Sequence, residues 1–206
     1  VQSVIANLGT AFGVDLMTEA GCRRVFEEQG QELFSLDSAL DRNFFLELVG
    51  LANFLPSLDR QQLKVVFGAL LDRNNLLWLL RYRFIYGLSA AKSYYLLTAT
   101  GNQLPSAELI KLAKLDSLQA VIDELPPRLR SLLEGLGDIY QVEQIMELYS
   151  LDAARKGLKK SNRALTRTFS YLLLRESETR YLIAIIKGKQ LGFDHELISE
   201  AVGGLA

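Results

Sequence analysis

The chain has 206 residues, of which 49% are hydrophobic and 23% charged, a balance typical of a globular protein with one large domain or two small ones. Its formal net charge of −1 produces no overall field that would attract nucleic acid. A single cysteine and a single histidine exclude an internal disulfide and a His/Cys metal site. Uninterrupted apolar runs are short, as at residues 76–80, whereas a transmembrane helix requires about 20 residues.

Apolar residues recur at helical spacing along the whole chain, and strict apolar–polar alternation is nearly absent. Within residues 40–55, large apolar side chains follow one another at steps of four, four, three and four residues, which places them on one helix face. The sequence therefore predicts an all-α protein. In chain order, the predicted helices lie near residues 3–12, 19–30, 37–55, 59–86, 90–98, 107–115, 117–125, 128–136, 142–158, 162–190 and 195–202.

Local start and stop signals separate these helices. Pro56 divides the two long helical patterns of the first half. Pro126 and Pro127 end one short helix and start the next, because proline is tolerated in the first turn of a helix and not in its interior. Asp116, with Gln119 three residues later, predicts a capping box at the start of the helix near 117–125.

A constant shift of 106 residues pairs the first half of the chain with the second. The paired positions carry the same kind of side chain, which predicts an internal duplication. The pairs are Asp37 with Glu143, Leu40 with Met146, Asp41 with Glu147, Asp72 with Glu178, Leu76 with Leu182, Leu79 with Ile185, Leu80 with Ile186, Arg81 with Lys187 and Arg83 with Lys189.

The two copies also end alike, since residues 87–89 (Gly-Leu-Ser) match residues 192–194 (Gly-Phe-Asp) at a shift of 105. Glycine suits the left-handed residue that ends a helix, the apolar residue packs back, and serine or aspartate caps the next helix. We therefore expect two similar helical domains, residues 1–104 and 105–206. Each consists of a short lead-in, two long helices, a stop and a short helix.

Eight charged residues that recur between the copies are candidates for structural charge pairs. They are the acids Asp37, Asp41, Glu143 and Glu147 and the bases Arg81, Arg83, Lys187 and Lys189. None of these bases has an acid four residues before it, so its partner must come from another helix. We predict that in at least one copy an acid of the first long helix binds a base of the second.

A run of bases near the start of the last long helix is the candidate partner-binding site. It comprises Arg155, Lys156, Lys159, Lys160, Arg163 and Arg167. Such a run is either a solvated helix face or a docking surface for an acidic partner or for anionic lipid headgroups. Aromatic residues are absent from the run, which argues against single-stranded nucleic acid as its ligand.

Catalytic and cofactor motifs are missing from the sequence. Residues 188–189 look like the end of a phosphate loop, but Ile183 stands where glycine is needed and Gln190 where serine or threonine is needed. Asp37 and Asp41 are too sparse for a cluster that binds magnesium and diphosphate. We predict no enzymatic activity and no cofactor, with an all-α enzyme of unrecognised site as one alternative.

Three segments carry a family resemblance. They are LDSALDRNFFLELVGLA (36–52), NLLWLLRYRFIYGLS (75–89) with Asp72 before it, and RESETRYLIAIIKGKQLGF (175–193). Together they resemble the C-type stalk component of the archaeal and bacterial vacuolar-type (V/A-type) rotary ATPases, which is related to the d-type component of the eukaryotic enzymes. The resemblance covers most of residues 36–200 and is weak over residues 1–35.

This resemblance implies three similar helical domains that form a funnel, with no catalytic residues. It implies a central-stalk connector on the cytoplasmic face of the membrane, where rotor shaft subunits insert into its socket and a membrane proteolipid ring lies beneath it. Membrane contact would run only through partner subunits, and torque would pass between shaft and ring during ion transport. With two copies, the chain would be a fragment that lacks the first of three repeats. The alternative is a soluble helical-repeat scaffold that binds another protein.

Overall fold

The computed structural model describes residues 32–98 and 100–201, and the side chains of residues 38–98 and 100–199. Every element in this part of the chain is a helix, which confirms the predicted all-α fold. The predicted helices near 3–12 and 19–30 lie outside the described residues. The helices are α1 (Glu32–Asn53), α2 (Ser57–Leu80, continued by a π-helical turn at Arg81–Ile85), α3 (Ala90–Tyr95), α4 (Ser106–Ala113), α5 (Leu118–Glu124), α6 (Pro127–Leu133), α7 (Ile139–Lys160), α8 (Ala164–Gln190) and α9 (His195–Ala201).

Three long helices, α2, α7 and α8, pack against one another. The second half of α2 lies at the centre of the larger core, where Leu76, Leu79 and Leu80 are at most 1% exposed. Apolar side chains of the short helices α4–α6 and of the start of α7 cover this part of α2. This central core comprises Leu76, Leu77, Leu79, Leu80, Tyr82, Leu96, Leu97, Leu104, Leu109, Leu112, Ala113, Val121, Ile122, Leu125, Leu129, Leu133, Val142 and Met146.

A smaller core joins the first half of α2 to α1 and α8. Its buried members are Leu63, Phe67, Leu70 and Leu71, and partly buried side chains of α1 and α8 pack against them. The rings of Phe67 and Phe169 meet edge to face with their centroids 5.7 Å apart, a geometry that the aromatic quadrupole favours. Helices α1 and α8 are therefore held on the same part of α2.

A buried carboxylate fastens the loop that follows α3. Asp72 of α2 is fully buried and accepts hydrogen bonds from the backbone N–H groups of Gln103 and Leu104, each at 3.0 Å. The hydroxyl of Tyr149 donates to the same carboxylate at 3.3 Å. A Cβ atom at Gly101 would come within 2.3 Å of it, so only glycine allows this close approach. Asp72 thus links α2, the 100–104 loop and α7.

Stability should depend on pH through Asp72. Burial raises the pKa of its carboxyl above the ordinary 3.8, although backbone N–H donors oppose the shift. The unfolded chain therefore ionises first as the pH rises, and the folded state loses stability between pH 3.8 and its own higher pKa. We expect the stability of the wild type relative to D72N, whose amide does not titrate, to increase as the pH falls from 7 towards 3.8. Urea unfolding of both proteins across this range measures it, and a constant or decreasing difference contradicts it.

The predicted glycine stops are confirmed. Gly87 and Gly192 have φ angles of 66° and 75°, in the left-handed region that favours glycine. Ser89 accepts a hydrogen bond from the N–H of Lys92 at the start of α3. Asp194 accepts one from the N–H of Leu197 at 2.8 Å at the start of α9. The helices that follow the two glycine stops, α3 and α9, therefore begin with the N-caps that the sequence predicts.

The capping box predicted at Asp116 is wrong. Ser117 is the residue that caps α5, because its hydroxyl accepts from the N–H of Ala120 at 3.2 Å. Asp116 instead accepts a hydrogen bond from the guanidinium of Arg83 at 3.1 Å. Asp116 thus makes a tertiary contact with Arg83, although its local sequence predicts that it caps α5.

Each half of the described chain has two long helices followed by a short one, α1, α2 and α3 in the first half and α7, α8 and α9 in the second. The duplication itself stays a prediction, as does the division into domains at residue 104. The central core includes residues on both sides of that division, among them Leu80 and Leu129, so the two stretches share one core.

Candidate functional site

The predicted basic run lies where α7 ends and α8 begins. Five of its six side chains are exposed to solvent, and Arg163 is half-buried. Lys156 forms an ion pair one turn away with Asp152. No carboxylate of the described residues forms an ion pair with Arg155, Lys159, Lys160 or Arg167, so these four charges face solvent.

Arg163 has a structural role that sets it apart from the rest of the run. Its guanidinium donates two hydrogen bonds to the carboxylate of Asp59, at 2.8 and 2.7 Å. The hydrogen bonds and charge of Arg163 hold the pKa of Asp59 below its usual value, and Asp59 in turn raises the pKa of Arg163. This bidentate pair fastens the start of α2 to the turn between α7 and α8.

The structure adds two bases to this end of the bundle that the sequence analysis missed. The side chain of Gln62 in α2 bonds to both Ser161 and Asn162 in the α7–α8 turn. Arg60 and Lys64, two residues to either side of Gln62, are exposed and form no ion pair with the described residues. We define the basic end as Arg60, Lys64, Arg155, Lys156, Lys159, Lys160, Arg163 and Arg167.

A groove opens beside the basic end between α2 and α7. It has a volume of about 290 Å³, and its lining includes Val65, Arg128, Lys156 and Lys160. The guanidinium of Arg128 lies over the ring of Tyr149, 5.5 Å from its centroid, an attraction between a cation and an aromatic face. The groove thus adds an apolar floor and a further base to the positively charged end.

A second set of charges forms a seam between α2, α7 and α8. Glu147 of α7 accepts hydrogen bonds from Arg180 at 2.7 Å and Ser177 at 3.1 Å, and also pairs with Arg73. The side chains of Arg73 and Glu147 are each only 13% exposed. Burial lowers the pKa of Arg73, and the charge of Glu147 opposes that shift. The seam is therefore an ion-pair network between three helices, in which the Arg73–Glu147 pair is largely buried and Arg180 is 47% exposed.

One turn earlier on α7, Glu143 accepts a hydrogen bond from Arg81 at 2.7 Å. This contact joins an acid of the second predicted copy to a base of the first. Within the second copy, Glu147 binds Arg180, a base that the sequence analysis did not single out. Of the two acids, Glu143 therefore pairs with a base that the prediction names, Arg81, and Glu147 pairs with Arg180 and Arg73, which it does not name.

The remaining predicted charge-pair residues lie in other surroundings. Arg83 donates to the carbonyl oxygens of Leu88 and Leu115 and to Asp116. Lys187 and Lys189 are exposed, and no acid of the described residues pairs with either. Asp41 lines a groove between α1, α2, α7 and α8. The side chain of Asp37 lies outside the described residues.

Other functional classes receive no support from the described part of the chain. Among residues 32–98 and 100–201, no three acidic, histidine or cysteine side chains come together as a metal site would require. None of the helices in these ranges combines the length and hydropathy that crossing a bilayer demands. What the structure offers is an exposed charged end, which is suited to contacts between proteins, and a seam that joins three helices inside the chain.

Comparison with protein families decides between these interpretations. The sequence matches the model of the ATP synthase (C/AC39) subunit over residues 3–201. The chain belongs to the ATP synthase (C/AC39) subunit family. No curated protein and no solved structure gave a significant match.

Membership of the C/AC39 family confirms the resemblance to the C-type stalk component of V/A-type rotary ATPases. The family consists of non-catalytic stalk subunits, so this C/AC39 chain is a stalk subunit and not an enzyme. Its partners lie within a rotary ATPase. The basic end is an exposed cluster of one charge sign on this stalk subunit.

Proposed function

We propose that this chain is the central-stalk connector of a rotary V/A-type ATPase, coupling the rotor shaft subunits to the membrane proteolipid ring during ion transport. It would be a peripheral protein on the cytoplasmic face, and its membrane contact would run only through partner subunits. The observation that carries the proposal is the family match along residues 3–201. A connector transmits force without chemistry, so it requires stiffness and a firm non-covalent grip.

The packing of the long helices supports the stiffness that this role needs. Helix α2 is buried along most of its length and is flanked by both α7 and α8. Cores with this continuity are close-packed and transmit strain rather than absorbing it. The Asp59–Arg163 pair and the seam at Glu147 fix how these helices meet. A torque applied at one end of the bundle would therefore reach the other with little deformation.

We further propose that the basic end docks on an acidic surface of a partner subunit in the stalk. Six of its eight bases have no ion-pair partner among the described residues, which leaves their charge available to a second protein. Charges at the rim of an interface steer association and fix orientation more than they add affinity. The near-neutral total charge means that this attraction is local to one end of the molecule.

The triple variant R155E/K159E/R167E should weaken assembly with the rotary ATPase. The three side chains are exposed and make no internal ion pair in the described part, so reversing them should leave the fold intact. Arg163 is spared because its reversal would break the pair with Asp59. Pull-down of the tagged protein from solubilised membranes, quantified for rotary-ATPase subunits, should fall by about tenfold or more at low salt.

The matched control is K92E/K114E/R130E, which changes the net charge equally at exposed positions elsewhere. Equal recovery of partners with both triple variants would remove the basic end as the docking surface and leave the connector role intact. If the wild type recovers no rotary-ATPase subunit, the connector proposal itself is wrong, and a helical-repeat scaffold takes its place.

A further inference from the structure

A larger groove at the basic end runs along the first half of α2, between the end of α1 and residues 100–106. We call it the α1–α2 groove, and its volume is about 690 Å³. The residues of α2 that line it extend from Arg60 to Leu71, which is about 16 Å at the rise of an α-helix. The groove is therefore long enough for about three turns of a bound helix.

The floor of the α1–α2 groove is apolar. Val49 and Ala52 of α1 and Leu63, Phe67 and Leu71 of α2 line it, and apolar atoms provide most of its surface. None of its described lining residues comes from α7 or α8, so the helices that flank α2 elsewhere leave this side open. An apolar groove between two helices is a surface on which a third, amphipathic helix can lay its apolar face.

The far wall of the groove is held in place by polar side chains of the protein itself. In addition to the bonds that Asp72 accepts from the 100–104 loop, Asn75 donates to the carbonyl oxygen of Thr100 at 3.3 Å. The side-chain amide of Asn102 donates to the carbonyl oxygen of Lys64 at 3.1 Å. The wall is thus fixed to α2 before anything binds, and a partner does not have to order it.

The rim of the groove carries positive charge without compensation. Arg60 and Lys64 line the groove, and none of the described lining residues is acidic. Asp59 does not neutralise them, because its carboxylate binds Arg163 at 2.7 Å. The two bases are four residues apart on one helix, so they follow one edge of the groove rather than converging on a point. This arrangement favours a partner with carboxylates at helical spacing over a small anion.

We propose that an acidic amphipathic helix of a stalk partner docks in the α1–α2 groove. Its apolar residues at i, i+3 or i+4 and i+7 lie on the floor, and its carboxylates, four residues apart, lie beside Arg60 and Lys64. The proposal rests on the docking of the basic end proposed above, and it names the kind of partner and the centre of the contact. The apolar floor supplies affinity, and the two bases fix the orientation of the bound helix.

Photo-crosslinking in the assembled complex tests which molecule fills the groove. Gln61 is exposed and lines the groove, so p-benzoylphenylalanine in its place reports on the occupant. After pull-down of the tagged full chain from solubilised membranes and irradiation, we expect cross-links to one acidic helix of a rotary-ATPase subunit. The same label at Leu132, a 43% exposed leucine of α6, is the control and should not reach that helix. The proposal is wrong if cross-links are absent or reach only lipid, a second copy or residues 1–31 of this chain.

Charge reversal at the rim tests the predicted orientation. R60E/K64E should lower recovery of that subunit by about tenfold at low salt. The matched control K92E/K114E changes the net charge equally at exposed positions outside the groove and should behave like the wild type. Equal recovery with both double variants contradicts the proposal. If R155E/K159E/R167E weakens assembly and R60E/K64E does not, the basic end docks elsewhere than in the groove.

Peptide titration tests the groove apart from the connector role. Two synthetic amphipathic helices of about 14 residues, or four turns, share one leucine face and carry either glutamate or lysine every four residues along one edge. The purified full chain should bind the glutamate peptide at least about tenfold more tightly, and R60E/K64E should reverse that preference. If the wild type recovers no rotary-ATPase subunit, the connector function fails and this titration alone decides the groove. Equal binding of the two peptides would overturn the proposal.

Discussion

Replacing Glu147 by alanine is expected to lower the free energy of unfolding by about 3–5 kcal/mol. Its carboxylate, 13% exposed, is shared by Arg73 and Arg180 and also accepts from Ser177. Removing it leaves the guanidinium of Arg73, itself 13% exposed, buried without its ion-pair partner. The cost of that unpaired charge exceeds what the ion pair itself contributes, because most of it is desolvation that nothing offsets.

The matched control for E147A is E143A, one turn earlier on the same helix. The side chains of Arg81 and Glu143 are 38% and 36% exposed, so water replaces the lost partner and the expected cost is below about 1 kcal/mol. Urea unfolding followed by circular dichroism measures both. In addition, R73M/E147L should recover most of the stability, since apolar side chains replace the buried pair. Equal losses for E147A and E143A would show that the seam is not desolvated.

Sequence patterns predicted the helices well where the determining interactions are local. The stops at Gly87 and Gly192 depend on a backbone angle that glycine adopts at little cost, and the caps at Ser89 and Asp194 depend on a neighbouring N–H. The cap at Asp116 was wrong because its carboxylate could also reach Arg83, which is 33 residues away in sequence. Capping patterns consider only neighbouring residues, so they do not weigh a cap against a contact with a residue far away in sequence.

Charge partners were harder to predict than charge positions. The predicted repeat singled out Glu143 and Glu147 because they match Asp37 and Asp41, and both glutamates form ion pairs in the structure. Their partners follow from how α7 lies between α2 and α8, which no spacing along one helix reveals. Arg73 and Arg180 drew no attention, since neither follows the repeat as a matched base. The basic end likewise gains Arg60 and Lys64 from a helix about 100 residues earlier.

Burial of α8 could not be read from its composition. Leu76 and Leu182 occupy matched positions in similar sequences. Their exposures differ because the segment after residue 104 covers the first, while the described residues provide no corresponding cover for the second. In repeat architectures, burial depends on the neighbouring unit as much as on the residue itself.

Because the core around α2 depends on the segment after residue 104, removing that segment should have the largest effect on stability. A chain that ends at residue 104 should not form a folded domain, because it lacks the side chains of α4–α7 that cover α2. Leu76, Leu77, Leu79 and Leu80 are each at most 5% exposed in the whole chain. Exposing four leucines costs on the order of 6–12 kcal/mol, comparable with the entire stability of a typical domain, about 5–15 kcal/mol. We expect residues 1–104 to show no cooperative unfolding transition in urea.

The control is a chain that ends at residue 160, after α7. It keeps every member of the central core and loses α8, which supplies Phe169 and Leu173 to the smaller one. We expect it to unfold cooperatively at a lower urea concentration than the whole chain. The fluorescence of Trp78, the single tryptophan, should report the transition, since its ring packs against the central core. Cooperative unfolding of residues 1–104 alone would mean that the first repeat is an autonomous domain and that α4–α7 only cover a core already formed.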